Sequence, residues 1–264
     1  MVNYLAVIGP NGLLNKVPEV TLAFWIIKIM STTVGETGAD YLAVHVGLGT
    51  TITGAIMASL LLVALLVQLR MRRYVPWTYW LTVVLVSVVG TQITDALTDR
   101  LGVSLYVSTA VFAATLGTTF AIWYATERTL SIHTIISTRR ELFYWAAILF
   151  TFALGTAAGD LATEALGLGF NLGVIVCSAL IAAIAIAYCL GANAVRTFWL
   201  AYILTRPLGA SLGDLLSQAR DYGGLGLGTI YTSLGFLIVI IGLVAFVSAR
   251  ERDTPYLVLT KEKA

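Results

Sequence analysis

The sequence predicts an all-α integral membrane protein. It is read as eight transmembrane helices built from four tandem parallel helix-pair repeats, forming a single membrane domain over 1–264. Three observations predict this. First, 58% of the 264 residues are hydrophobic and only 11% are charged, with a mean hydropathy of +0.89. A water-exposed domain usually carries about 25% charged residues. Second, the apolar residues fall into eight runs, each near the roughly 20 residues that a bilayer crossing needs. Third, one motif recurs four times at one spacing.

The composition also excludes other classes. So apolar a chain cannot remain disordered. A net charge of +2 without a basic stripe argues against nucleic acid as a partner. Cys177 and Cys189 lie twelve residues apart in one run, about 18 Å on a helix, beyond disulfide reach. The first fifteen residues lack a basic n-region and a long apolar stretch, so no cleavable signal is expected.

The eight predicted spans are 19–42, 50–69, 77–98, 103–126, 141–164, 170–190, 197–218 and 226–248. Their hydrophobicity is continuous rather than alternating, which points to helices and not a barrel. Short connections make neighbours antiparallel. Placing both termini on one side gives that side Lys16, Arg70, Arg72, Arg73, Arg128, Arg139, Arg140, Arg196, Arg250, Arg252, Lys261 and Lys263. The other side receives only Arg100 and Arg220. The positive-inside rule then places both termini in the cytoplasm. Lys28 and Arg206 lie inside spans.

The motif is a Trp, then Gly ten residues on, then Asp five residues later. It reads Trp25, Gly35, Asp40; Trp80, Gly90, Asp95; Trp145, Gly155, Asp160; and Trp199, Gly209, Asp214. An aromatic precedes each Trp (Phe24, Tyr79, Tyr144, Phe198), and a small residue precedes each Asp (Ala39, Thr94, Gly159, Gly213). Every motif falls on an odd-numbered span. The repeats are therefore approximately 19–72, 73–128, 139–192 and 193–250. Two spans per unit return the chain to its starting side, so all four units share one orientation, with a pseudo-symmetry axis along the membrane normal.

These four Trp residues, with their Gly and Asp partners, resemble a bacterial family of membrane proteins. That family is built from four tandem repeats, each with two transmembrane segments and a characteristic tryptophan. The stretch KVPEVTLAFWIIKIMSTTVGETGAD is the most family-like, and the resemblance covers essentially the whole chain. The family is one of unassigned function. The resemblance therefore implies the architecture, and with it a bacterial inner-membrane location, but no activity.

Fifteen residues separate Trp from Asp, about 22 Å along a helix. The Trp residues are expected near the cytoplasmic headgroups, as an interfacial belt or as pathway aromatics. Gly35, Gly90, Gly155 and Gly209 are expected to allow close helix packing. Ionisable groups inside spans are costly, so four Asp at one depth suggest a shared polar site. Glu36 lies on nearly the same face as Asp40. Asp40, Asp95, Asp160, Asp214 and Glu36 are thus the candidate ion-binding residues. The same four Asp are the candidate metal ligands if the substrate is a metal. Lys28 and Arg206 would compensate charge or gate the path. Repeats 2 and 3 carry Val83 and Phe152 at the corresponding positions, so repeats 1 and 4 are specialised. Pro207 is expected to kink its span and free the Ile203 carbonyl.

His45 and His133 fall in loops on opposite sides. A candidate ligand set is therefore all oxygen: the carboxylates with Ser31, Thr32, Thr33, Thr37, Thr91, Gln92, Thr94, Thr151 and Thr156. Such sites suit Mg²⁺, Ca²⁺, Mn²⁺, Na⁺ or protons. The functional expectation is a cation transporter, for a hard divalent metal or proton-coupled, with no resident cofactor beyond a bound divalent cation. The alternatives are a transporter of a small organic cation, or a non-transporting receptor or scaffold. The chain could also form a homo-oligomer. An enzyme is not expected. SLGD at 211–214 faintly resembles an intramembrane aspartyl-protease motif, yet four equivalent Asp fit a dyad poorly. No Ser–His–Asp arrangement or HExxH motif is present. YGGLGLG at 222–228 lacks the Lys-Ser/Thr of a phosphate loop.

Overall fold

A computed structural model describes residues 14–40 and 49–253, with the side chains of residues 36, 38–40, 164, 252 and 253 outside the description. Among the described residues the chain is all-helical, with eight α-helices. These are α1 Leu22–Asp40, α2 Gly49–Arg70, α3 Pro76–Asp95, α4 Leu105–Glu127, α5 Thr138–Asp160, α6 Gly169–Cys189, α7 Ala194–Ser217 and α8 Thr229–Asp253. Each coincides with one of the eight apolar runs. Six of these segments are long and apolar enough to cross a membrane: α2, α3, α4, α5, α6 and α8. The other two, α1 and α7, are the helices that carry Lys28 and Arg206.

Helix starts follow local chemistry. Pro76 opens α3, where a missing N–H costs nothing. The side chains of Ser104, Ser137 and Asn193 accept from the first-turn N–H groups of α4, α5 and α7. Two helices end unusually. α3 continues as a π-helical turn over Ala96–Arg100, and α5 as one over Leu161–Ala165. Both begin directly after the motif Asp. Both close on Leu-Gly, with Gly102 and Gly167 at φ 65° and 64°, a region that favours glycine. Within α7 the helix is uninterrupted across Pro207.

The odd helices form a closed inner ring. α1 packs on α3, α3 on α5, α5 on α7, and α7 returns to α1. The motif glycines make these contacts close. A Cβ on Gly90 would lie 2.7 Å from the Phe152 Cβ, and one on Gly209 would lie 2.7 Å from the Thr32 Cγ2. Gly35 meets Ser87, and Gly155 meets Arg206, in the same way. The rule is uniform: each motif glycine sits under the residue seven positions after the Trp of the next odd helix. Such contacts require the four odd helices to run parallel. The small residues before three of the Asp also meet the neighbouring odd helix, one turn on. Gly213 backs onto Thr33, Gly159 lies beside Pro207, and the Thr94 hydroxyl donates to the Ala153 carbonyl at 3.1 Å. The Thr33 hydroxyl likewise donates to the Gly209 carbonyl at 2.8 Å.

The even helices form an outer layer. Each packs on the odd helix that follows it: α2 on α3, α4 on α5, α6 on α7, and α8 on α1. Each repeat thus covers its successor, and the four units interlock. The outer helices present Ile52, Leu62, Val107, Ile122, Ile175, Ile186 and Ile238 outward, all exposed. Cys177 and Cys189 are both unbridged.

The segment before α1 straps the Trp end of the ring. Leu14 N–H donates to the Arg72 carbonyl and Lys16 N–H to the Ile135 carbonyl, while the Asn15 side chain accepts from Ile135 N–H. Lys16, counted above among the cytoplasmic surface charges, is instead buried. Its ammonium lies 2.6 Å from Glu141 and also donates to the Leu69 carbonyl. Both side chains of this ion pair are 1% exposed.

Two measurements check this packing. Gly90→Ala should lower stability by about 1–3 kcal/mol, because the new methyl meets Phe152 with no slack. Gly117→Ala and Gly235→Ala, on outer helices with open space at the Cβ, should be neutral or slightly stabilising. Thermal unfolding in detergent compares the three. For the strap, Lys16→Met alone strands Glu141 and should cost about 3–5 kcal/mol, whereas Lys16→Met with Glu141→Leu should recover most of it. The same melting experiment, run as a double-mutant cycle, reads the difference.

Candidate functional site

The ring axis is lined by every fourth residue of the odd helices, counted from the aromatic before each Trp. Successive positions four apart share one helix face. The face descends in layers of four, one residue per helix, from the Trp end to the Asp end.

The first layer is aromatic. Phe24, Tyr79, Tyr144 and Phe198 each meet the Trp beside them at 5.1 to 5.4 Å between ring centres. Each also meets the Trp of the next repeat. Phe24 lies 5.5 Å from Trp80, Tyr79 lies 5.5 Å from Trp145, Tyr144 lies 6.2 Å from Trp199, and Phe198 lies 5.7 Å from Trp25. Eight rings therefore close a belt around the axis. The Tyr79 and Tyr144 hydroxyls hydrogen-bond to each other. Trp80, Trp145 and Trp199 are buried, Trp25 is half-buried, and all four pack in the core, so the rings face one another inside the bundle. Ring pairs of this kind contribute about 0.5–1.5 kcal/mol beyond area burial.

The second layer holds Lys28, Val83, Ile148 and Tyr202, and the third holds Thr32, Ser87, Phe152 and Arg206. All eight are fully buried. The two bases cross the axis. Lys28 of α1 sits over the ring of Phe152 on α5, the diagonal helix, at 3.9 Å, and over Tyr202 of α7 at 4.4 Å. Its ammonium donates to the Thr32 hydroxyl at 3.3 Å. Arg206 of α7 donates to Thr91 on its own diagonal helix, α3, and to Thr156 of α5 at 2.7 Å. Its guanidinium also lies 5.9 Å from Phe152. The Phe152 ring is thus shared by both cations.

The fourth layer contains Thr91, Thr156 and Ala210, with Glu36 at the same register in α1. The fifth is the Asp layer. Asp95, Asp160 and Asp214 are half-buried at the far end of the ring, each engaged with neighbours. The side chains of Asp40 and Glu36 lie outside the described residues, as do His45, Lys261 and Lys263. Among the described residues no group of three or more His, Cys, Asp or Glu is arranged to hold a metal ion. The candidate ligand hydroxyls are used differently from the oxygen cage expected. Thr33 and Thr94 bridge to carbonyls of neighbouring helices, Thr37 and Thr156 bond back within their own, and Thr91 and Thr156 accept from Arg206. Ser31 and Thr151 are buried with no hydrogen-bond partner among the described residues.

Sequence reasoning placed Lys28 and Arg206 inside spans, either paired with acids of neighbouring helices or gating the path. Among the described residues Lys28 meets two rings and the Thr32 hydroxyl and no carboxylate. Sequence reasoning missed Phe152 and Tyr202 as the rings that receive Lys28. The signal was present in the spacing, since Tyr202 and Lys28 share one repeat position and Phe152 and Arg206 share the next.

The comparisons agree with this four-fold geometry. No curated protein and no solved structure matches the chain. A family model described as Repeat of Unknown Function (DUF347) matches four times, over residues 23–74, 78–129, 143–191 and 197–253. Together the matches cover most of the chain, and each contains one Trp–Gly–Asp motif. The chain therefore belongs to the DUF347 repeat family, with four copies in tandem.

Proposed function

We propose that this protein is a multi-pass transporter of the bacterial cytoplasmic membrane that moves a cation along the axis of its inner ring, coupled to protons. All eight helices cross the bilayer in this reading, and both termini lie in the cytoplasm. The outer helices support it, because their exposed apolar faces suit lipid and not water. The Lys and Arg bias supports the orientation.

One observation carries the transport reading. Lys28 and Arg206 are fully buried and cross the axis of a closed ring, among hydroxyls, in an otherwise apolar chain. Charge at that depth is costly and is typically kept where a protein handles ions or protons. Asp95, Asp160 and Asp214 form the acidic mouth at one end, and the aromatic belt closes the other.

The geometry favours proton coupling over a dedicated divalent-metal cage. Among the described residues no three acids gather as metal ligands, and the hydroxyls tie helices together or receive Arg206. The cation–π faces of Phe152 and Tyr202 are already taken by Lys28, which weighs against an organic cation there.

In proteoliposomes with a trapped pH indicator, replacing Asp40, Asp95, Asp160 or Asp214 singly by Asn should lower proton-linked cation flux at least tenfold. Undiminished flux in all four variants would contradict the reading.

A further inference from the structure

We propose that Lys28 is the proton-exchanging group of the axis. This rests on the transport reading and deepens it: Lys28 binds and releases the coupling proton.

Of the two bases on the axis, only one can exchange. Arginine remains charged under all ordinary conditions, whereas a lysine amine can release and regain a proton. Their settings differ in the same sense. The Arg206 guanidinium is held by Thr91 and Thr156 from two other helices. The Lys28 ammonium has three N–H donors, and one hydroxyl, that of Thr32, accepts from it. Its remaining surface is covered by the faces of Phe152 and Tyr202. No carboxylate pairs with it among the described residues.

The groups facing Lys28 are few. α7 presents Arg206 and Tyr202, and α5 presents Phe152, which does not titrate. The axis positions of α3 hold Val83 and Ser87, and α1 itself holds Thr32. Glu36 lies two turns further along α1, its side chain outside the described residues.

The step balances simply. In loading, the amine lone pair forms an N–H bond with a proton arriving along the axis. In unloading, that bond breaks, the electron pair stays on Nζ, and the proton passes to a water molecule, which carries it away as hydronium.

Lys28→Arg separates this role from a structural one. It keeps the positive charge and the ring contacts but removes the exchangeable proton. The wild-type protein and Lys28→Arg would be compared in proteoliposomes for proton flux, in detergent for thermal stability, and by ¹⁵N-lysine NMR. The Nζ resonance of Lys28 is identified by its loss in the variant. The expected result is a wild-type resonance that switches between ammonium and amine forms as the pH is stepped from acid to alkaline. Lys28→Arg should keep a melting temperature near wild type and lose at least tenfold in flux. A resonance that stays in one form, or a Lys28→Arg flux equal to wild type, overturns the proposal. A switching resonance in a wild-type protein that carries no flux supports the exchange by Lys28 and overturns the transport reading alone.

Discussion

The structure depends on one contact made four times: a motif glycine of one odd helix pressed under the residue seven positions past the Trp of the next. A side chain at Gly90 or Gly209 would collide with Phe152 or Thr32, so the helices can approach this closely only where glycine stands. In a bilayer this contact does what burial of apolar area does in water. Lipid tails are as apolar as leucine, and helix association there rests on close packing and interhelical hydrogen bonds. The hydroxyl-to-carbonyl bonds from Thr33 and Thr94 sit one turn away and pin the same interfaces. Once the glycines fix the rotation of each helix, every fourth residue faces the axis. The aromatic belt, the two bases and the Asp layer then follow in order.

Four-fold repetition gives the scaffold, and departures from it place the two buried bases. The glycine and aromatic layers obey the symmetry. The layers between them do not: Lys28 replaces an apolar or aromatic residue, and Arg206 stands where the other units have Thr32, Ser87 and Phe152. Each base reaches its diagonal helix, Lys28 at Phe152 and Arg206 at Thr91, while Thr32 and Tyr202 complete the surroundings of Lys28. α3 and α5, the helices at the far end of these contacts, both continue as a π-helical turn after their Asp. Such turns add a residue to one helical turn and are frequent at functional sites.

Much of this was legible in the sequence. The apolar runs located all eight helices, because span length and continuity are local properties. The motif spacing identified the repeats, and the small residues before each Asp signalled close approach. What was not legible concerned choice of neighbour. Helical periodicity says which residues share a face, not which helix that face meets. Hence the sequence read the Trp residues as interfacial or pathway aromatics without showing that each packs against the aromatic of the neighbouring repeat. For the same reason each even helix appeared to belong with the odd helix before it, and it packs on the one after. The Lys16–Glu141 pair joins positions 125 residues apart, and no local pattern connects them. The partners of Lys28 were equally distant, although the shared register of Tyr202 and Phe152 with the two bases was present in the repeat alignment.

The central claim is that α7 closes onto α1 to complete the ring. Residues 213 and 33 are far apart in the chain, yet a Cβ on Gly213 would lie 3.7 Å from the Thr33 Cβ. Oxidising the double variant Gly213→Cys, Thr33→Cys in its native membrane, made with Cys177 and Cys189 replaced by Ala so that the engineered thiols stand alone, tests this most directly, because a disulfide forms only when the two Cβ atoms come within about 3.5–4.5 Å. The account predicts an intramolecular cross-link in nearly every chain, seen as a reducible shift of the monomer band. Two free thiols after oxidation, or cross-links found only between chains, would contradict a closed ring.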